Sequence, residues 1–366
     1  MRWEPGFLCS GEEFASFWAA LATDGSAKRR GLLIAGRGFD PRTLEGPRAI
    51  ATAQFPIVTC CVLRLTNLQD SPDRPHNLAA ETNEAAMREL FPNADFELKE
   101  IAVRDASGRL VGSSQTRTQF ADRAWLSGFT DVIVDITALP TSITFPLVGS
   151  LIWTYDELLV EARPAFNLHC IVCENADLDE HIVAEGGDVA DYIDPFRGRG
   201  GRAAEAEPIT IWAPALGERQ AAVLRKIYEM LGPAEVKPFL PFPSRNARRG
   251  DELVAEYRSL LFDTWEVDPR GFLYADERDP FDIYRQLGDL AAEYRRSLEP
   301  LGAANTVVSA HTSKLLSLGV LLAAFEHSLA VAHVEPTEYS LDEEAANLEA
   351  NELFEVWLTG QAYVAE

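Results

Sequence analysis

A short polar turn, Ser309–Lys314, contains the side chains best suited to binding an anion in this sequence. The apolar residues 306–308 before it predict a buried strand, and the leucine-rich stretch after it predicts a helix. The turn would then lie at the positively polarised start of a helix, where backbone N–H groups lack partners within the helix. Thr312, Ser313 and Lys314 could hold a phosphate or a carboxylate there. In the alternative interpretation, Thr312 or Ser313 only caps the helix.

A second group of polar side chains follows another predicted strand, 236–240. It contains Ser244, Arg245, Arg248 and Arg249, and the planar guanidinium group of arginine suits two-point binding of phosphate or carboxylate. Trp212, near the end of a third predicted strand, could stack on a base. Together with the first turn, these residues predict a nucleotide-type or phosphorylated ligand. The alternative is that the arginines only neutralise acidic surface nearby.

Catalytic residues are harder to assign than binding residues. His311 lies in the first turn and is the best candidate for a general acid or base. Glu277 follows the predicted strand 271–274 and could act as a base or bind ribose hydroxyls. The histidines lack metal-ligand spacing, and a serine hydrolase is disfavoured because no G-x-S-x-G motif occurs. The sequence therefore predicts no metal site and assigns no cofactor.

The N-terminal half contains a further candidate turn after the predicted strand 31–35. Gly36 and Gly38 permit tight turning and close approach of the backbone to a ligand, and Asp40 and Arg42 could bind its polar groups. The turn is not a dinucleotide fingerprint, because proline stands where the third glycine would be. The alternative is a tight turn closed by a contact between Asp40 and Arg42.

The predicted buried strand 131–135 ends in two more candidate ligand-binding residues, Asp135 and Thr137. These side chains alternate onto one face at the carboxyl end of the strand, where open α/β sheets bind their ligands. Asp135 could instead cap the helix that follows.

Composition limits the class of protein. The formal net charge of −24 opposes contact with nucleic-acid phosphates, so we expect no non-specific nucleic-acid binding. The five cysteines fit a reducing compartment, and the N-terminus lacks the features of a signal peptide. No apolar run in the sequence is both long enough and free enough of charged residues to span a bilayer. We therefore expect a cytoplasmic protein without a membrane partner.

Strands alternate with helices along most of the chain, which predicts an α/β fold of mainly parallel sheets flanked by helices. The two halves share this pattern, so we expect two Rossmann-like domains. We also expect a homo-oligomer. The predicted divisions are a first domain over 1–187, a Gly/Arg-rich linker over 188–207, a second domain over 208–337 and an acidic helical tail over 338–366.

Within the acidic tail, residues 342–358 predict a helix. Its apolar side chains could dock a protein partner or pack on the domain of the same chain; they are Leu348, Leu353, Phe354 and Trp357.

Two turns resemble motifs of the CRISPR-associated Rossmann-fold (CARF) sensors of prokaryotic antiviral defence. Asp135-Ile136-Thr137 is similar to the acidic or hydroxyl-bearing motif that ends a strand in that family. Ser309–Lys314, followed by Gly319 and Ala323-Ala324 in the predicted helix, is similar to the hydroxyl-rich turn with a basic residue. The resemblance implies a sensor of a cyclic oligonucleotide or another nucleotide.

Two other classes of protein remain as alternatives. The turn Gly36–Asp40 is loosely similar to the S-adenosylmethionine loop of some methyltransferases, so a methyltransferase or another nucleotide-processing enzyme is the first. The strand 56–65 runs into Thr66-Asn67 without the acidic residue that often binds a ribose, which counts against a methyltransferase. A scaffold subunit of a multiprotein complex is the second alternative.

Overall fold

The computed structural model describes residues 1–25, 28–66, 75–179, 181–187, 189–198, 208–341 and 350–363. Contacts divide the chain into two compact units. The larger unit comprises Trp3–Val183 with Glu338–Glu366, and the smaller unit comprises Met1–Arg2 with Ala184–Thr337. The C-terminal segment therefore belongs to the same unit as the N-terminal half.

Strands and helices alternate along most of the chain, as the hydrophobic pattern predicts. The described strands are β1 (Phe7–Ser10), β2 (Gly31–Gly36), β3 (Ile57–Thr66), β4 (Asp95–Ala102), β5 (Asp131–Asp135), β6 (Asn167–Glu174), β7 (Ile182–Glu185), β8 (Ala190–Arg197), β9 (Ile209–Ala215), β10 (Glu235–Val236), β11 (Phe239–Pro241), β12 (Leu273–Ala275), β13 (Ala304–Ala310), β14 (Ala330–Val334), β15 (Glu338–Leu341) and β16 (Glu352–Thr359). The described α-helices are α1 (Gly11–Thr23), α2 (Glu45–Thr52), α3 (Pro75–Leu90), α4 (Gly112–Gln119), α5 (Arg123–Leu126), α6 (Thr141–Val160), α7 (Ala176–Asp179), α8 (Ala221–Leu231), α9 (Arg249–Glu256), α10 (Pro280–Leu298) and α11 (Lys314–His327).

The sheet of the larger unit has the strand order β1-β16-β6-β5-β2-β3-β4. The strands from β4 to β6 are parallel, and in chain order they form the Rossmann-like arrangement 3-2-1-4-5. Every residue of β2 and of β5 is buried, which explains their continuous apolar sequences. The strand order reverses between β2 and β5, so the turns that follow these two strands lie at the topological switch point.

The sheet of the smaller unit repeats this arrangement in the order β12-β11-β9-β13-β14-β8. Its strands from β12 to β14 are parallel and again follow the order 3-2-1-4-5, with the switch point between β9 and β13. The antiparallel strand β8 closes the edge beside β14. The predicted fold class, two Rossmann-like units with mainly parallel sheets flanked by helices, is therefore confirmed.

The predicted linker 188–207 is wrong over residues 190–197, which form β8. Its Ile193 and Phe196 are buried, and the strand pairs with β14 from Val334 back to Ala330. Asp188 and residues 199–207 lie outside the described part of the chain. The Gly/Arg composition conceals the strand because its pairing partner lies more than a hundred residues further along the chain.

The helix predicted over 342–358 is wrong for the described residues, because 352–359 form β16 between β1 and β6. Phe354 and Trp357 are buried in the larger unit, so they do not offer a docking surface. Leu353 packs against a buried cluster of the same unit, and Leu348 lies outside the described residues. Apolar side chains at this spacing satisfy either a helix or a strand, and the neighbouring strands decide between them.

Among the described helices, α6 is long and apolar enough, by length and composition, to cross a membrane. This corrects the expectation that no such run exists. However, 67% of its most apolar window is buried inside the structure, as in the core helix of a globular α/β protein.

Candidate functional site

In the smaller unit, the turns after β9 and β13 are in direct contact at the switch point. The backbone N–H of His311 donates to the carbonyl oxygen of Ala215 over 3.0 Å. A Cβ atom on Gly217 would lie 1.9 Å from the carbonyl oxygen of His311, which is far inside the contact distance of real Cβ atoms. Only glycine therefore allows this approach of one turn to the other.

The turn after β13 leads directly into α11, as the sequence predicts. The Oγ atom of Ser313 accepts the backbone N–H of Leu316 over 3.3 Å, and Lys314 is the first residue of the helix. The hydroxyl of Ser317 donates to the carbonyl oxygen of Ser313. Ser313 is thus the helix cap, which was the alternative interpretation for this residue.

Two neighbouring side chains in this turn present buried polar atoms that lack hydrogen-bond partners among the described residues: Oγ1 of Thr312 and Nε2 of His311. Oγ of Ser244, after β11, is likewise buried and lacks a hydrogen-bond partner among the described residues. Buried polar atoms in native proteins nearly always have a partner, so each such atom needs a physical explanation. These three atoms therefore carry hydrogen-bonding capacity that this structure leaves unused, and two of them lie beside a helix start, a position that favours anions.

The imidazole of His311 is held in its neutral form. Burial lowers the pKa of His311 to about 3, and the neighbouring His333 adds to the effect. At neutral pH, one ring nitrogen is then a donor and the other an acceptor. Its Nε2 atom could therefore bind either a ligand oxygen or a ligand hydrogen, depending on the tautomer.

An ion cluster missed by sequence reasoning links three of the turns at the carboxyl end of the sheet. Nε and Nη2 of Arg249 lie 2.6 and 2.9 Å from the carboxylate oxygens of Glu218, and Nη1 also contacts Glu277. Burial opposes ionisation of Glu218, but its hydrogen bonds with Arg249 outweigh burial and lower the pKa. Glu277, a candidate general base, is therefore engaged in a structural ion pair.

The other two arginines of the predicted pocket have exposed side chains. The backbone N–H of Arg245 donates to Oε2 of Glu277 over 3.2 Å, and that of Arg248 donates to Oδ1 of Asn246 over 3.0 Å. These contacts hold the loop while leaving both guanidinium groups at the surface beside the carboxyl ends of β11 and β12.

The prediction that Trp212 stacks on a base is wrong. Its ring is fully buried, and Nε1 donates to Oγ of Ser309 over 3.1 Å. It packs edge-on against Trp265, with ring centroids 5.0 Å apart and an angle of 73° between the planes, inside the hydrophobic core of the smaller unit. Trp212 thus contributes to stability and cannot reach a ligand in this structure.

In the larger unit, the candidate glycines bring the turn after β2 close to the turn after β5. A Cβ atom on Gly38 would lie 2.4 Å from Cβ of Ala138, and one on Gly36 would lie 2.9 Å from Cδ2 of Leu139. The adjacent Arg37 is paired with Glu84 over 2.7 Å. The close approach that these glycines permit is therefore to protein atoms.

Asp40 and Arg42 contact each other, as the alternative interpretation of this turn proposed. Nη2 of Arg42 lies 2.7 Å from Oδ2 of Asp40 and 2.9 Å from Oδ1 of Asp179. Burial opposes the charge of Arg42, but Asp179 and Asp40 outweigh it and raise the pKa of the guanidinium. Arg42 is buried, so this ion pair occupies the groups that were predicted to bind a ligand.

Asp135 and Thr137 lie on the other side of the same switch point and are also buried. Oδ1 of Asp135 accepts the N–H of Thr137 over 2.9 Å, and Oγ1 of Thr137 accepts the N–H of Cys173 over 3.0 Å. Oδ2 of Asp135 has no partner among the described residues, and burial raises the pKa of this carboxyl to about 6. Asp135 does not cap α6, whose N-cap residue is Pro140.

A second buried ionic cluster, also missed from sequence, surrounds His169 in the larger unit. Nδ1 of His169 lies 2.7 Å from Oε1 of Glu355, and Nε2 lies 3.6 Å from Oδ1 of Asp131. Burial opposes the charged imidazolium, but these two carboxylates raise the pKa of His169 to about 9. Asp131 also accepts hydrogen bonds from Arg29 and Asn167. The one indication of this cluster in the sequence is a histidine inside an apolar strand. Its partners could not be predicted, because they lie on two other strands, β5 and β16.

Neither clustered metal ligands nor a disulfide is found in the described part of the chain. No group of three or more His, Cys, Asp or Glu residues is arranged there to hold a metal ion. All five cysteines are buried and free, so Cys170 and Cys173 do not form a disulfide.

No protein-family model and no curated protein matches this chain. The fold itself defines the class as an α/β protein with two Rossmann-like units. Of its two switch points, the one in the larger unit is filled by an ion pair and close-packed turns, and its polar atom without a described partner, Oδ2 of Asp135, belongs to a carboxyl group, which does not favour an anion. The one in the smaller unit combines a helix start with polar atoms that lack partners among the described residues.

Proposed function

We propose that the smaller unit binds a phosphorylated, nucleotide-type ligand at the turn after β13. The observation that carries the proposal is the pair of buried polar atoms without partners among the described residues, Oγ1 of Thr312 and Nε2 of His311. They stand beside the N-terminus of a 14-residue helix, at the switch point where open α/β sheets bind ligands.

The electrostatics of this turn favour an anion although the whole chain is acidic. The helix dipole places partial positive charge at the start of α11, and Lys314 adds an ammonium group in the first turn. Neutral His311 brings no charge, but it can still donate a hydrogen bond to a phosphate oxygen. The exposed side chains of Arg245 and Arg248 add positive charge over the neighbouring strand end.

Sensing or regulation is preferred over turnover. A general base works best with a pKa near the working pH, and burial lowers the pKa of His311 to about 3. Glu277, the other candidate, is held by Arg249. The resemblance to the CARF sensors agrees with a sensing role in a cytoplasmic, prokaryotic antiviral system. Enzyme and scaffold roles remain the alternatives, to be separated by turnover assays and by co-purification of a partner.

The test is isothermal titration calorimetry of the whole chain with ATP, a cyclic oligonucleotide and inorganic tripolyphosphate. Thr312→Val removes one hydroxyl at nearly constant volume, and Lys314→Ala removes one charge. Hydrogen bonds to charged groups contribute about 1.5–3 kcal/mol, so each variant should bind roughly tenfold to a hundredfold more weakly.

Lys237→Ala is the matched control, because Lys237 lies before β11, at the opposite end of the strands, where it pairs with Glu235. The control should bind as the wild type does. Absence of binding by every probe, or equal binding by the Thr312 and Lys314 variants, would overturn the proposal. Native mass spectrometry of the purified protein would show whether a ligand co-purifies.

A further inference from the structure

Two large aromatic side chains of the smaller unit are exposed at the same end of the sheet as the proposed phosphate site. Phe242 is 56% exposed and Tyr274 is 50% exposed. Their ring centroids lie 6.2 Å apart with an angle of 77° between the planes. Phe242 directly follows β11 and Tyr274 lies in β12, so the pair stands at the carboxyl ends of two neighbouring strands.

Hydrogen bonds to backbone groups fix the two segments that carry these rings. The N–H of Phe242 donates to the carbonyl oxygen of Ala275 over 2.7 Å, and the side-chain amide of Gln286 donates to the carbonyl oxygen of Tyr274 over 2.7 Å. Tyr274 lies opposite Leu240 in the parallel register. The pair is therefore a fixed surface, and its exposure does not result from a loosely attached loop.

Polar groups suited to a nucleotide continue directly from this surface. Ser244, whose buried Oγ has no partner among the described residues, is two positions beyond Phe242. The loop is tied to the end of β12, because the N–H of Glu277 donates to the carbonyl oxygen of Pro243 over 3.0 Å. Next along the chain comes the exposed side chain of Arg245. The segment after β11 thus carries one ring of the pair, a hydroxyl group and a cationic group, and it is tied to the strand that carries the other ring.

The distance to the switch point suits one ligand that reaches both places. In the order β12-β11-β9-β13, the end of β11 is two strands away from the end of β13. Two strand spacings amount to roughly 10 Å, a gap that a ribose and its phosphates can bridge. Doubly wound sheets bind nucleotides in the same manner, with phosphates at the switch point and the ribose over the next strand end.

We propose that Phe242 and Tyr274 are the base-stacking platform of the ligand site, so that the ligand carries an aromatic base in addition to phosphate. This inference rests on the proposed function and makes it more specific. It excludes sugar phosphates and inorganic anions as the main ligands. Every nucleobase has a π-face, so the platform selects bases as a class and does not choose among them.

The experiment compares the four ribonucleoside triphosphates with inorganic tripolyphosphate, which carries the same phosphate chain without base or ribose. Phe242→Leu and Tyr274→Leu keep apolar bulk and remove the π-face. Trp153→Leu, on α6 of the larger unit, is the control because Trp153 is 59% exposed and aromatic. Affinities come from calorimetry, and thermal melting checks that each variant folds.

Loss of one stacking contact should weaken nucleoside triphosphate binding roughly tenfold, with tripolyphosphate binding unchanged. The control should match the wild type. If the wild type binds tripolyphosphate as tightly as every nucleotide, the platform is overturned while the phosphate site stands. If the leucine variants bind nucleotides normally but change the oligomeric mass, the pair belongs to a contact between copies. If neither these probes nor the cyclic oligonucleotide binds to the wild type, both proposals fail.

Discussion

Nδ1 of His169 lies 2.7 Å from Oε1 of Glu355, a contact between residues 186 positions apart in the chain. It joins β6 to β16 in the interior of the larger unit, and both side chains are completely buried. Three aromatic rings, of Phe17, Trp18 and Trp357, lie within 6.0 Å of the imidazole centroid. The imidazole, whose pKa the neighbouring carboxylates raise, is thereby enclosed by apolar side chains, which makes the stability of this unit sensitive to pH.

The first prediction concerns that pH dependence. The pKa of His169 is raised from 6.5 to about 9, so its stabilising contribution is complete below pH 6.5 and is lost as pH rises through 9. The shift corresponds to about 3 kcal/mol at most. Urea unfolding at pH 6 and pH 10 should show this loss in the wild type, and His169→Gln should show a smaller change.

His181→Gln is the control for that experiment, because His181 contacts the backbone at Asp177 and has no carboxylate partner among its described contacts. It should keep the pH response of the wild type. An identical pH response in wild type and His169→Gln would show that His169 is not the titrating group.

The second prediction concerns Asp135, whose pKa burial raises from 3.8 to about 6. The fold loses stability as pH rises from about 4 to 6, because the buried group must ionise. A carboxylate that is paired with a cation has the opposite pH dependence, since its pairing stabilises the fold as pH rises. Asp135→Asn should therefore stabilise the larger unit above pH 7, by about 3 kcal/mol at most, and have little effect near pH 4. Chemical denaturation at both pH values measures the difference.

Asp95→Asn provides the exposed control for Asp135 and should change little at either pH. Destabilisation by Asp135→Asn at neutral pH would mean that the hydrogen bond from the N–H of Thr137 requires a charged acceptor.

The third prediction tests the contact between the two turns of the smaller unit. Gly217→Ala places a Cβ atom 1.9 Å from the carbonyl oxygen of His311, so one turn must move. We expect a loss of about 1–3 kcal/mol or more in unfolding free energy, together with weaker binding of any ligand at this turn. Thermal melting and calorimetry measure the two effects.

Gly250→Ala is the matched control, because its nearest neighbouring atoms would lie 3.9 Å away and the residue is helical. It should be neutral or stabilising by up to about 1 kcal/mol. Equal melting temperatures for both alanine variants would contradict the tight approach at Gly217.

The fourth prediction concerns the ion cluster of Arg249. Its side chain is largely buried and reaches Glu218 with two nitrogen atoms and Glu277 with the third. Arg249→Ala should destabilise the smaller unit by about 1–3 kcal/mol, because it leaves two partly buried carboxylates without their ionic partner. Arg249→Lys should restore only part of this loss, since lysine cannot form the two-point contact.

Arg270→Ala serves as the comparison, because Arg270 pairs with Asp268 in an exposed turn and such pairs contribute little. Urea unfolding curves of the three variants give the loss in unfolding free energy that each substitution causes. A loss at Arg270 as large as that at Arg249 would show that burial is not the source of the effect.

Local sequence pattern was sufficient for much of the fold and for part of the site. The apolar run before Ser309 and the leucines after Lys314 predicted β13 and α11, and Ser313 caps the helix as one interpretation proposed. The spacing of Asp40 and Arg42 likewise anticipated their contact. In each case the interacting groups are a few residues apart, so the backbone geometry of a turn or a helix brings them together.

The local sequence pattern could not predict which side chains are buried or which distant strands pair. The indole ring of Trp212 is of a type that can stack on a base, yet its position in the middle of the sheet buries it against Trp265. Phe242 and Tyr274 received no role from the sequence, because their proximity depends on the pairing of β11 with β12.

The sequence by itself determined the alternation of strands and helices, the acidic charge and the hydroxyl-rich start of α11, because these depend on neighbours within a few positions. Only the tertiary structure decided that the C-terminal segment is a strand, that Glu355 faces His169, and that Arg249 is held by Glu218. Those outcomes depend on which strands pair and how deeply each side chain is buried, and residues far apart in the chain set both.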